Sequence, residues 1–579
     1  MFSFKISKEI KTDVLIIGAG AAGIRTAIAL HDKNISSLLV SKREFGDAHT
    51  WMAAGGINAS LGSLDEEDRW EIHAADTLRE GHFINDPKAV KTVCKNAPEA
   101  VLELHEWGCP FSKTDDGKIN QRFFGAQSFR RTCFVGDKTG RAILDTLVDQ
   151  AKERDIPCHD GVYIFDLVKR EGKVIGALGI NKKNKEMVFY NSAYVVLAAG
   201  GYASIYNRSS SRQNENIGDT ALLAYEAGAR LMDMEMVQFH PTGMVKPEEY
   251  LGKLVTEAVR GEGGRLFNKN KDRFMAEYSP EMKELDARDE VARAIAKEIA
   301  KGNGTEDNAV YLDISHKDEE FIKSRLPKMY DRFKELDIDI SKEPMEVSPT
   351  SHYSMGGVEV DFTNGATNVE GLYAVGEATS GLHGANRLGG NSLIETVVLG
   401  KITGNAIANQ YSEDKNDAIS GELKQYLEEK YLEGNWVKNP GDAIKKIKDL
   451  MWEHAGILRN EKQLNKGLEK LEEIRKDLSA DKAELEVLSF EVIWENLDLK
   501  NVLLASELVL KSANMRKESR GAHYREDYTD LSEEYKLNIV AYKGENGKVS
   551  LEEKSVGEIG EEVQKALDEN HSLDYHQLE

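Results

Sequence analysis

The chain has 579 residues, of which 40% are hydrophobic and 30% charged, and its formal net charge is −23. This length provides for roughly three or four structural units with sizeable cores. A mean hydropathy of −0.49 and the lack of any apolar run of about 18 residues exclude a membrane-spanning helix. The acidic balance argues against a nucleic-acid partner, so any anionic ligand must meet positive charge locally.

The first predicted element is the strand Asp13–Ile17, a continuous apolar run typical of a parallel strand that is buried on both faces. It leads into Gly18-Ala19-Gly20-Ala21-Ala22-Gly23 and an alanine-rich helix to about His31, and Leu38–Val40 is the next strand. A GxGxxG turn between a strand and a helix brings pyrophosphate oxygens to the free N–H groups of the helix. This unit therefore predicts a dinucleotide site.

The second strand ends in Ser41-Lys42-Arg43, where an acidic ribose-binding residue is usual. This departure indicates a flavin dinucleotide that is held differently from NAD, and the alternative is an ordinary basic loop. Two later apolar runs, Tyr194–Ala198 and Leu372–Val375, also end in glycine and resemble the first strand. We therefore expect a nucleotide domain that is split by an insertion.

The insertion, from about Met234 to Ser348, is mixed in character and includes a predicted helix, Asp289–Lys301. Beyond about Gln410 the chain becomes highly charged and helical. Glu461–Leu478 and Ala483–Arg516 place apolar residues three and four apart, as packed helices of a bundle do. The tail beyond Tyr524 is acidic and predicts no element.

These elements predict an α/β fold with a split Rossmann-like FAD-binding domain, an inserted α+β capping domain and a C-terminal helical bundle domain. We place the nucleotide-binding domain at residues 1–233 and 349–411, and the capping domain at 234–348. The helical domain would span 412–517, and a C-terminal segment 518–579.

Segments rich in glycine, histidine and arginine follow one another along the chain: Gly46–Thr50 with Ala54–Ile57, Gln238–Gly243, Thr256–Gly264, Ala287–Asp289, Ser351–Gly357, His383–Gly389 and Arg516–His523. The ordered set resembles the flavoprotein subunits of succinate dehydrogenase and fumarate reductase, and it covers most of the chain. A single motif of this kind is moderately specific, whereas the complete order is highly specific.

The residues alone support an anion site. His240, His352, Arg288 and Arg387 are hydrogen-bonding or cationic, and arginine binds carboxylates through two parallel hydrogen bonds. Each residue by itself has an ordinary alternative, such as a core histidine or an arginine paired with Asp286 or Asp289. Four such residues beside a dinucleotide fold favour a site for a small dianion.

The resemblance implies that the dianion is a C4 dicarboxylate and that the chain interconverts succinate and fumarate at FAD. Arg288 would donate the proton to the substrate carbon and be refilled through Glu257 and Arg260. Substrate binding is assigned to His240, Thr256, His352, Arg387 and Phe124. Cofactor binding is assigned to Gly18, Gly20, Ala21, Gly23, Ser41, Lys42, His49, Thr50, Gly55, Gly56, Asp219, Glu377, Asn386, Ser392 and Leu393.

His49 stands where the family carries a histidine bonded covalently to the flavin, so the resemblance implies covalent FAD. The match is incomplete, because Asp47-Ala48 replaces the usual Arg-Ser before the histidine. The alternative is a free histidine beside a noncovalent FAD.

L-aspartate oxidase shares almost all of these motifs, including Tyr311–His316, and is the main alternative. Two positions argue against it. Aspartate oxidases generally lack a histidine at the position of His49, and they have a glutamate facing the substrate amine where Phe124 stands. Phenylalanine cannot pair with an ammonium group. A second alternative, a flavin electron-transfer protein without dicarboxylate chemistry, would be expected to lack Arg288 or a carboxylate anchor.

The electrons must be exchanged with another molecule, because the chain has one dinucleotide motif and four dispersed cysteines without a CxxC: Cys94, Cys109, Cys133 and Cys158. The resemblance implies a separate iron–sulfur subunit, with indirect membrane attachment through further subunits, and the alternative is oxygen, as in L-aspartate oxidase. We expect its contact on the helical domain and the Arg516–His523 segment. So few cysteines and no apolar signal segment predict a cytoplasmic location, including the inner face of a membrane.

Overall fold

The computed structural model describes residues 5–412, 420–427, 430–431 and 436–571. Parts of the predicted helical domain and C-terminal segment, namely 413–419, 428–429, 432–435 and 572–579, lie outside the described residues. Within the described part, no helix has the length and apolar character that crossing a membrane requires.

The elements alternate along the chain. The strands are β1 (Ile6–Ile17), β2 (Ser37–Ser41), β3 (Ile57–Asn58), β4 (Gln121–Arg122), β5 (Thr132–Cys133), β6 (Cys158–Asp160), β7 (Val162–Arg170), β8 (Lys173–Asn181), β9 (Met187–Leu197), β10 (Leu231–Met232), β11 (Val237–Met244), β12 (Arg265–Phe267), β13 (Val310–Asp313), β14 (Met345–Ser354), β15 (Gly357–Val358), β16 (Leu372–Ala374), β17 (Trp436–Val437), β18 (Leu458–Arg459), β19 (Lys482–Ala483), β20 (Tyr524–Arg525), β21 (Leu537–Lys543) and β22 (Val549–Ser555). The helices are α1 (Ala21–His31), α2 (Trp70–Glu80), α3 (Pro87–Glu106), α4 (Thr139–Glu153), α5 (Asp219–Ala227), α6 (Ala258–Gly261), α7 (Met275–Tyr278), α8 (Arg288–Glu298), α9 (Glu319–Arg325), α10 (Pro327–Glu335), α11 (Asn391–Gln410), α12 (Ser420–Leu427), α13 (Pro440–Ala455), α14 (Glu461–Ala480), α15 (Phe490–Met515) and α16 (Glu561–Asp568).

The main sheet joins strands that lie far apart in the sequence. Its order is β6-β2-β1-β9-β8-β7, and β16 pairs with β9 on the described part of the chain. β1 runs parallel to both β2 and β9, with Leu15 opposite Leu38 and Val195. The carboxyl ends of β1, β9 and β16 therefore meet at one edge of the sheet, where α/β proteins bind nucleotides.

A second sheet has its own core. Its order is β11-β14-β13-β12, all antiparallel. Apolar residues between Met244 and Val347 form a cluster with the helices α8 and α10, separate from the core of the main sheet. β11 and β14 also carry the motif residues His240 and His352. The predicted α/β class, with a split nucleotide-binding domain and an inserted α+β unit, is confirmed, while the domain bounds stay predictions.

The C-terminal part combines helices with a hairpin. α13, α14 and α15 pack together, and β21–β22 join β10 and β15 in a third sheet, with Leu231 opposite Ala541. The sequence predicted no element for this tail, although β21 contains the buried residues Ile539, Val540 and Ala541, while β22 is mostly polar. β10, their partner, comes from a distant part of the chain.

Four predicted elements have clearly different boundaries in the structure, one of them β9, which begins at Met187 rather than Tyr194. β1 begins at Ile6 rather than Asp13, since its polar first half pairs with β9. α8 ends at Glu298, and a π-helical turn with Gly302 at φ +81° follows. α15 begins at Phe490 rather than at Ala483, because Ser489 caps it by accepting a hydrogen bond from the Val492 N–H.

Candidate active site

A cavity of about 460 Å³ extends from the carboxyl end of β1 to the second sheet. It is lined by residues from the main sheet, from the loops after β2 and β16, and from β11, β14 and α8. Of the residues predicted for the site, all but Gly23, Arg260 and Asn386 line this cavity. The structure thus brings together segments that lie as far apart in sequence as Gly18 and Leu393.

The glycine-rich turn opens the amino end of α1 toward the cavity. Gly18 has φ +116°, and a Cβ there would lie 2.2 Å from the carbonyl oxygen of Ala198. A Cβ on Gly23 would lie 2.0 Å from the Gly18 carbonyl oxygen, so Gly23 serves close packing of the turn. Gly20 begins α1 without a side-chain cap, and the Ala21 N–H donates to Thr50 Oγ1 at 3.3 Å. The turn therefore fits the pyrophosphate of a dinucleotide.

Lys42 lies at the end of β2 between two carboxylates. Its ammonium is 2.9 Å from Asp219 and 3.1 Å from Asp498, and it lies 4.0 Å from the ring centre of Tyr163. Burial alone would lower the pKa of Lys42, but the two carboxylates raise it above its usual value. The sequence missed Asp498, which reaches this place from α15 and has no motif around it.

His49 lies beside an acidic and basic cluster. Its Nδ1 is 3.5 Å from Glu215, and Arg212 binds both Glu215, at 2.6 Å, and Asp47. Burial would raise the pKa of Glu215, but hydrogen bonds from His49 and Arg212 lower it to about 2. Asp47, which departs from the family motif, also pairs with Arg43 at 2.8 Å. The negative charge of its carboxylate is therefore balanced by two arginines, Arg43 and Arg212.

Two arginines at the other end of the cavity have unlike partners. Arg288 donates to Glu257 at 2.8 Å through Nε and approaches it at 2.7 Å through Nη2. Arg387 is 3% exposed and donates to Gln238 Oε1 at 2.9 Å and to Ser392 Oγ at 3.3 Å. Among the residues that the structure describes, Arg387 forms no ion pair.

The carboxylate of Glu257 connects Arg288 with Arg260. Burial would raise the pKa of Glu257, but the charges of Arg288 and Arg260 lower it to about 2. Arg260 lies behind the cavity wall, 3.9 Å from Glu257, and donates to the Glu284 carbonyl at 2.6 Å. The three residues form a row of charged groups that leads from the cavity toward α6, with an ion pair but no hydrogen bond between Glu257 and Arg260.

Two histidines face each other across β11 and β14. The rings of His240 and His352 are 5.5 Å apart in an edge-to-face arrangement. Burial, together with Arg288 and Arg260, holds the pKa of His240 well below its usual range. Because its Nδ1 accepts from the Thr242 N–H at 3.2 Å, the neutral ring carries its proton on Nε2. His240 therefore offers a donor for an anion.

His352 is held in a similar way. Its Nδ1 is 2.8 Å from Ser210 Oγ, and burial beside Arg387 holds its pKa well below its usual range. Neutral histidines beside two arginines avoid adding further positive charge to the same cavity.

Two residues within the motif segments, Gln238 and Tyr353, were not assigned a role from the sequence. Gln238 accepts hydrogen bonds from both Arg387 and Arg288, the latter at 3.4 Å. Tyr353 places its ring 4.5 Å from the Arg387 guanidinium, and its hydroxyl donates to Glu395 at 3.0 Å. Alternation along β11, where Gln238 and His240 share a face, is the pattern that could have identified Gln238.

Asn386 does not reach the cavity. Its amide donates to Glu80 at 2.7 Å and to Asp289 at 2.8 Å, and its oxygen accepts from Gln238 at 2.8 Å. Asn386 directly precedes Arg387, and its side chain connects their shared loop to α2 and α8.

The Arg516–His523 segment is internal, which corrects its predicted role as a contact surface. Within it only Lys517 is exposed. Arg516 lies among Glu235 at 2.7 Å, Glu518 at 3.1 Å and Asp233 at 3.3 Å, all buried. Its charges are compensated inside the chain, so these side chains cannot present a docking surface.

Comparison with known proteins gives concordant results. The family model described as an FAD binding domain matches residues 13–393, and the model described as fumarate reductase flavoprotein C-term matches residues 444–565. A fumarate reductase (CoM/CoB) subunit from Methanothermobacter marburgensis is 41% identical, over 92% of this chain and 97% of its own length. The succinate dehydrogenase flavoprotein subunit of Rickettsia bellii is 36% identical, over 94% and 95%.

Solved structures show the same similarity. Mycobacterium smegmatis Sdh1 superposes with a TM-score of 0.88 and 35% identity, covering 97% of both chains. A quinol fumarate reductase from E. coli also gives a TM-score of 0.88, with 33% identity over 96% of this chain and 99% of that chain.

Proposed function

The chain belongs to the family of succinate dehydrogenase and fumarate reductase flavoprotein subunits, and we propose from this premise that it interconverts fumarate and succinate. The cofactor of this FAD-dependent oxidoreductase fits the cavity at the uncapped amino end of α1. The relatives reported above are fumarate reductases and succinate dehydrogenases, which does not favour the alternative of L-aspartate oxidase.

The observation that carries the proposal is the burial of Arg387 without a negatively charged partner among the described residues. A guanidinium that is almost completely buried and has only neutral partners costs free energy unless an anion binds to it. His240, with its proton on Nε2, adds a neutral donor nearby. Arg387, His240, His352 and Thr256 thus supply donors for two carboxylates, and Phe124 supplies an apolar wall.

The proposed mechanism assigns a proton to Arg288. FAD, when bound, supplies hydride chemistry at one carbon of the substrate. Arg288 holds the proton for the neighbouring carbon, since its guanidinium faces the cavity and Glu257 pairs with it from behind. Glu257 and Arg260 form the path that returns the proton. In the direction of succinate oxidation, Arg288 accepts the same proton.

Arg288→Gln and Arg387→Gln test these separate roles. Loss of a general acid should lower kcat by about 100- to 10,000-fold in Arg288→Gln, whereas the Kd for succinate should change little. Arg387→Gln should mainly weaken succinate binding, since it removes a charge-assisted contact. Equal loss of binding in both variants, with kcat unaffected in Arg288→Gln, would contradict the assignment.

We infer further that the flavin is bonded covalently to His49. His49 lines the cavity, and its Nδ1 faces Glu215, which leaves Nε2 for the covalent bond. A covalent bond raises the flavin potential and so favours succinate oxidation.

The proposed electron partner is an iron–sulfur subunit. Burial raises the pKa of Cys94, Cys109 and Cys158 to about 12, so these thiols stay protonated and are poor cluster ligands. No group of three or more potential metal ligands occurs among the described residues. These observations support our proposal that the flavin electrons pass to or from a redox centre on another subunit.

The rim of the cavity next to His49 suits the docking of this partner. Trp51 and Met52 are 42% and 37% exposed, and Arg141 lies 5.3 Å from the ring centre of Trp51. Tryptophan, methionine and arginine are enriched in protein interfaces. Membrane attachment, in this proposal, is a property of further subunits.

A further inference from the structure

One segment of the C-terminal part contacts both the loop that carries Arg387 and the helix α8, which begins with Arg288. We name Arg520–Tyr524 the strap. On one side, the Ala522 N–H donates to the Ala385 carbonyl at 2.9 Å, two residues before Arg387. Gly521 has φ +52°, and a Cβ there would lie 2.5 Å from the same carbonyl oxygen. The strap therefore lies tightly against the loop that carries Arg387.

On its other side, the strap contacts α8. The Gly521 carbonyl accepts a hydrogen bond from Arg293 Nη2 at 3.0 Å. The Arg293 guanidinium also lies 4.8 Å from the ring centre of Tyr524. Arg293 is on α8, which begins with Arg288. The strap thus contacts the helix that carries the proposed proton donor.

Arg293 links these contacts to the neighbours of Arg288 and Arg387. Its Nη2 lies 3.2 Å from Asp289 Oδ2, and Asp289 Oδ1 accepts from Asn386 at 2.8 Å. Asp289 follows Arg288 in sequence, and Asn386 precedes Arg387. A chain of hydrogen bonds therefore runs from Gly521 through Arg293 and Asp289 to Asn386.

Directional hydrogen bonds and a small apolar cluster that includes Ala385 and Ala522 hold this junction together. A small void of about 10 Å³ lies there, lined by Phe239, Ala292 and Ile457 as well as by the strap. Most apolar residues of the second sheet and α8 form their own core, and only Val237, Phe239 and Ala292 of these elements pack into the core of the main sheet. The hydrogen bonds of the strap therefore add to a limited apolar contact. A displacement of about 1 Å in a catalytic group can lower the rate by a factor of about 100.

We propose that the strap and Arg293 form a clamp that sets the distance between Arg288 and Arg387. Arg293 is then a positioning residue for the reaction, and the buried Arg516–His523 segment has a function in aligning the two halves of the site. This inference rests on the proposed function, because it needs Arg288 to act on a substrate anchored by Arg387.

Arg293→Gln is the test, with Lys297→Gln as the matched control. Lys297 lies 4.5 Å from the same Tyr524 ring, on the same helix, but is not part of the hydrogen-bond chain. Arg293→Gln should lower kcat by about 10- to 100-fold while the Kd for succinate stays within about twofold. Arg293→Lys should restore part of the activity. An unchanged kcat, or an equal loss in Lys297→Gln, would overturn the clamp.

Hydrogen exchange of the holoenzyme tests the clamp without relying on turnover. Amides of α8 and of the strap should gain protection together when succinate binds the wild type, and should exchange faster together in Arg293→Gln. Protection of α8 without the strap would overturn the inference. Failure of the wild type to bind succinate or reduce fumarate would instead refute the proposed function. In that case, the hydrogen-exchange rates of the unliganded wild type and of unliganded Arg293→Gln would still test the clamp.

Discussion

At the scale of single residues, Arg288 and Arg387 differ in how their charge is balanced. Arg288 has a carboxylate partner, Glu257, so its positive charge is offset within the protein. Arg387 has an amide, a hydroxyl and an aromatic face as partners, and none of them carries a full negative charge. The first arrangement suits proton exchange, and the second suits the binding of a carboxylate.

The pH dependence of substrate capture should reflect Arg387. Burial and the charge of Arg288 lower the pKa of Arg387 to about 10. The guanidinium binds an anion only when protonated, that is, below this pKa. We therefore expect kcat/KM for fumarate to fall as the pH rises through about 10, since kcat/KM reports groups of the free enzyme. A value that stays constant to pH 11 in an intact enzyme would contradict the assignment.

His49 gives a second prediction at this scale. The denatured wild-type protein should show flavin fluorescence on a gel after acid precipitation, because the bond survives unfolding. His49→Ser should lose this band while retaining noncovalent FAD. It should also lose succinate oxidation more than fumarate reduction, since the flavin potential falls. A wild-type band without fluorescence would show that the flavin is free.

At the scale of elements, the sequence predicted those with local signals. The apolar run before GAGAAG and the alanine-rich α1 needed only neighbouring residues, and both are present. The polar half of β1 was not predicted, because it depends on a partner strand far away in the chain, and the place of the hairpin β21–β22 in its sheet likewise depends on the distant β10. The start of α15 depended on one capping serine, which apolar spacing does not reveal.

The same limit applies to the site. Motif residues such as His240 and Arg387 were predictable because their segments resemble a known family. Gln238, Tyr353 and Asp498 were not singled out, since their roles arise from contacts between distant elements. The expected surface role of the Arg516–His523 segment was wrong, because charged residues in a sequence give no measure of burial.

At the scale of the whole molecule, an acidic chain surrounds a locally positive cavity. The net charge of −23 contrasts with Arg288 and Arg387, which face one end of the cavity. Loops of the main sheet supply the proposed cofactor end, and the second sheet with the adjoining helices α6 and α8 supplies His240, Glu257 and Arg288. In the proposed mechanism, catalysis depends on the geometry in which these two units meet.

The partner prediction belongs to this scale. Purification from the native host should recover the chain with an iron-containing protein, measured by iron analysis. Trp51→Ser should release that protein, because it removes the largest exposed apolar side chain of the proposed docking rim. Leu102→Ser is the control, since Leu102 is a similarly exposed apolar residue on α3. Iron-free wild type that turns over rapidly with oxygen would contradict the partner.

The most direct test of the central claim is a comparison of substrates with the purified flavoprotein. Fumarate reduction is measured with an artificial donor, and oxidation of succinate and of L-aspartate with a dye. The account predicts turnover of fumarate and succinate and almost none of L-aspartate, because Phe124 at the cavity cannot pair with an ammonium group. A wide preference for L-aspartate would contradict it.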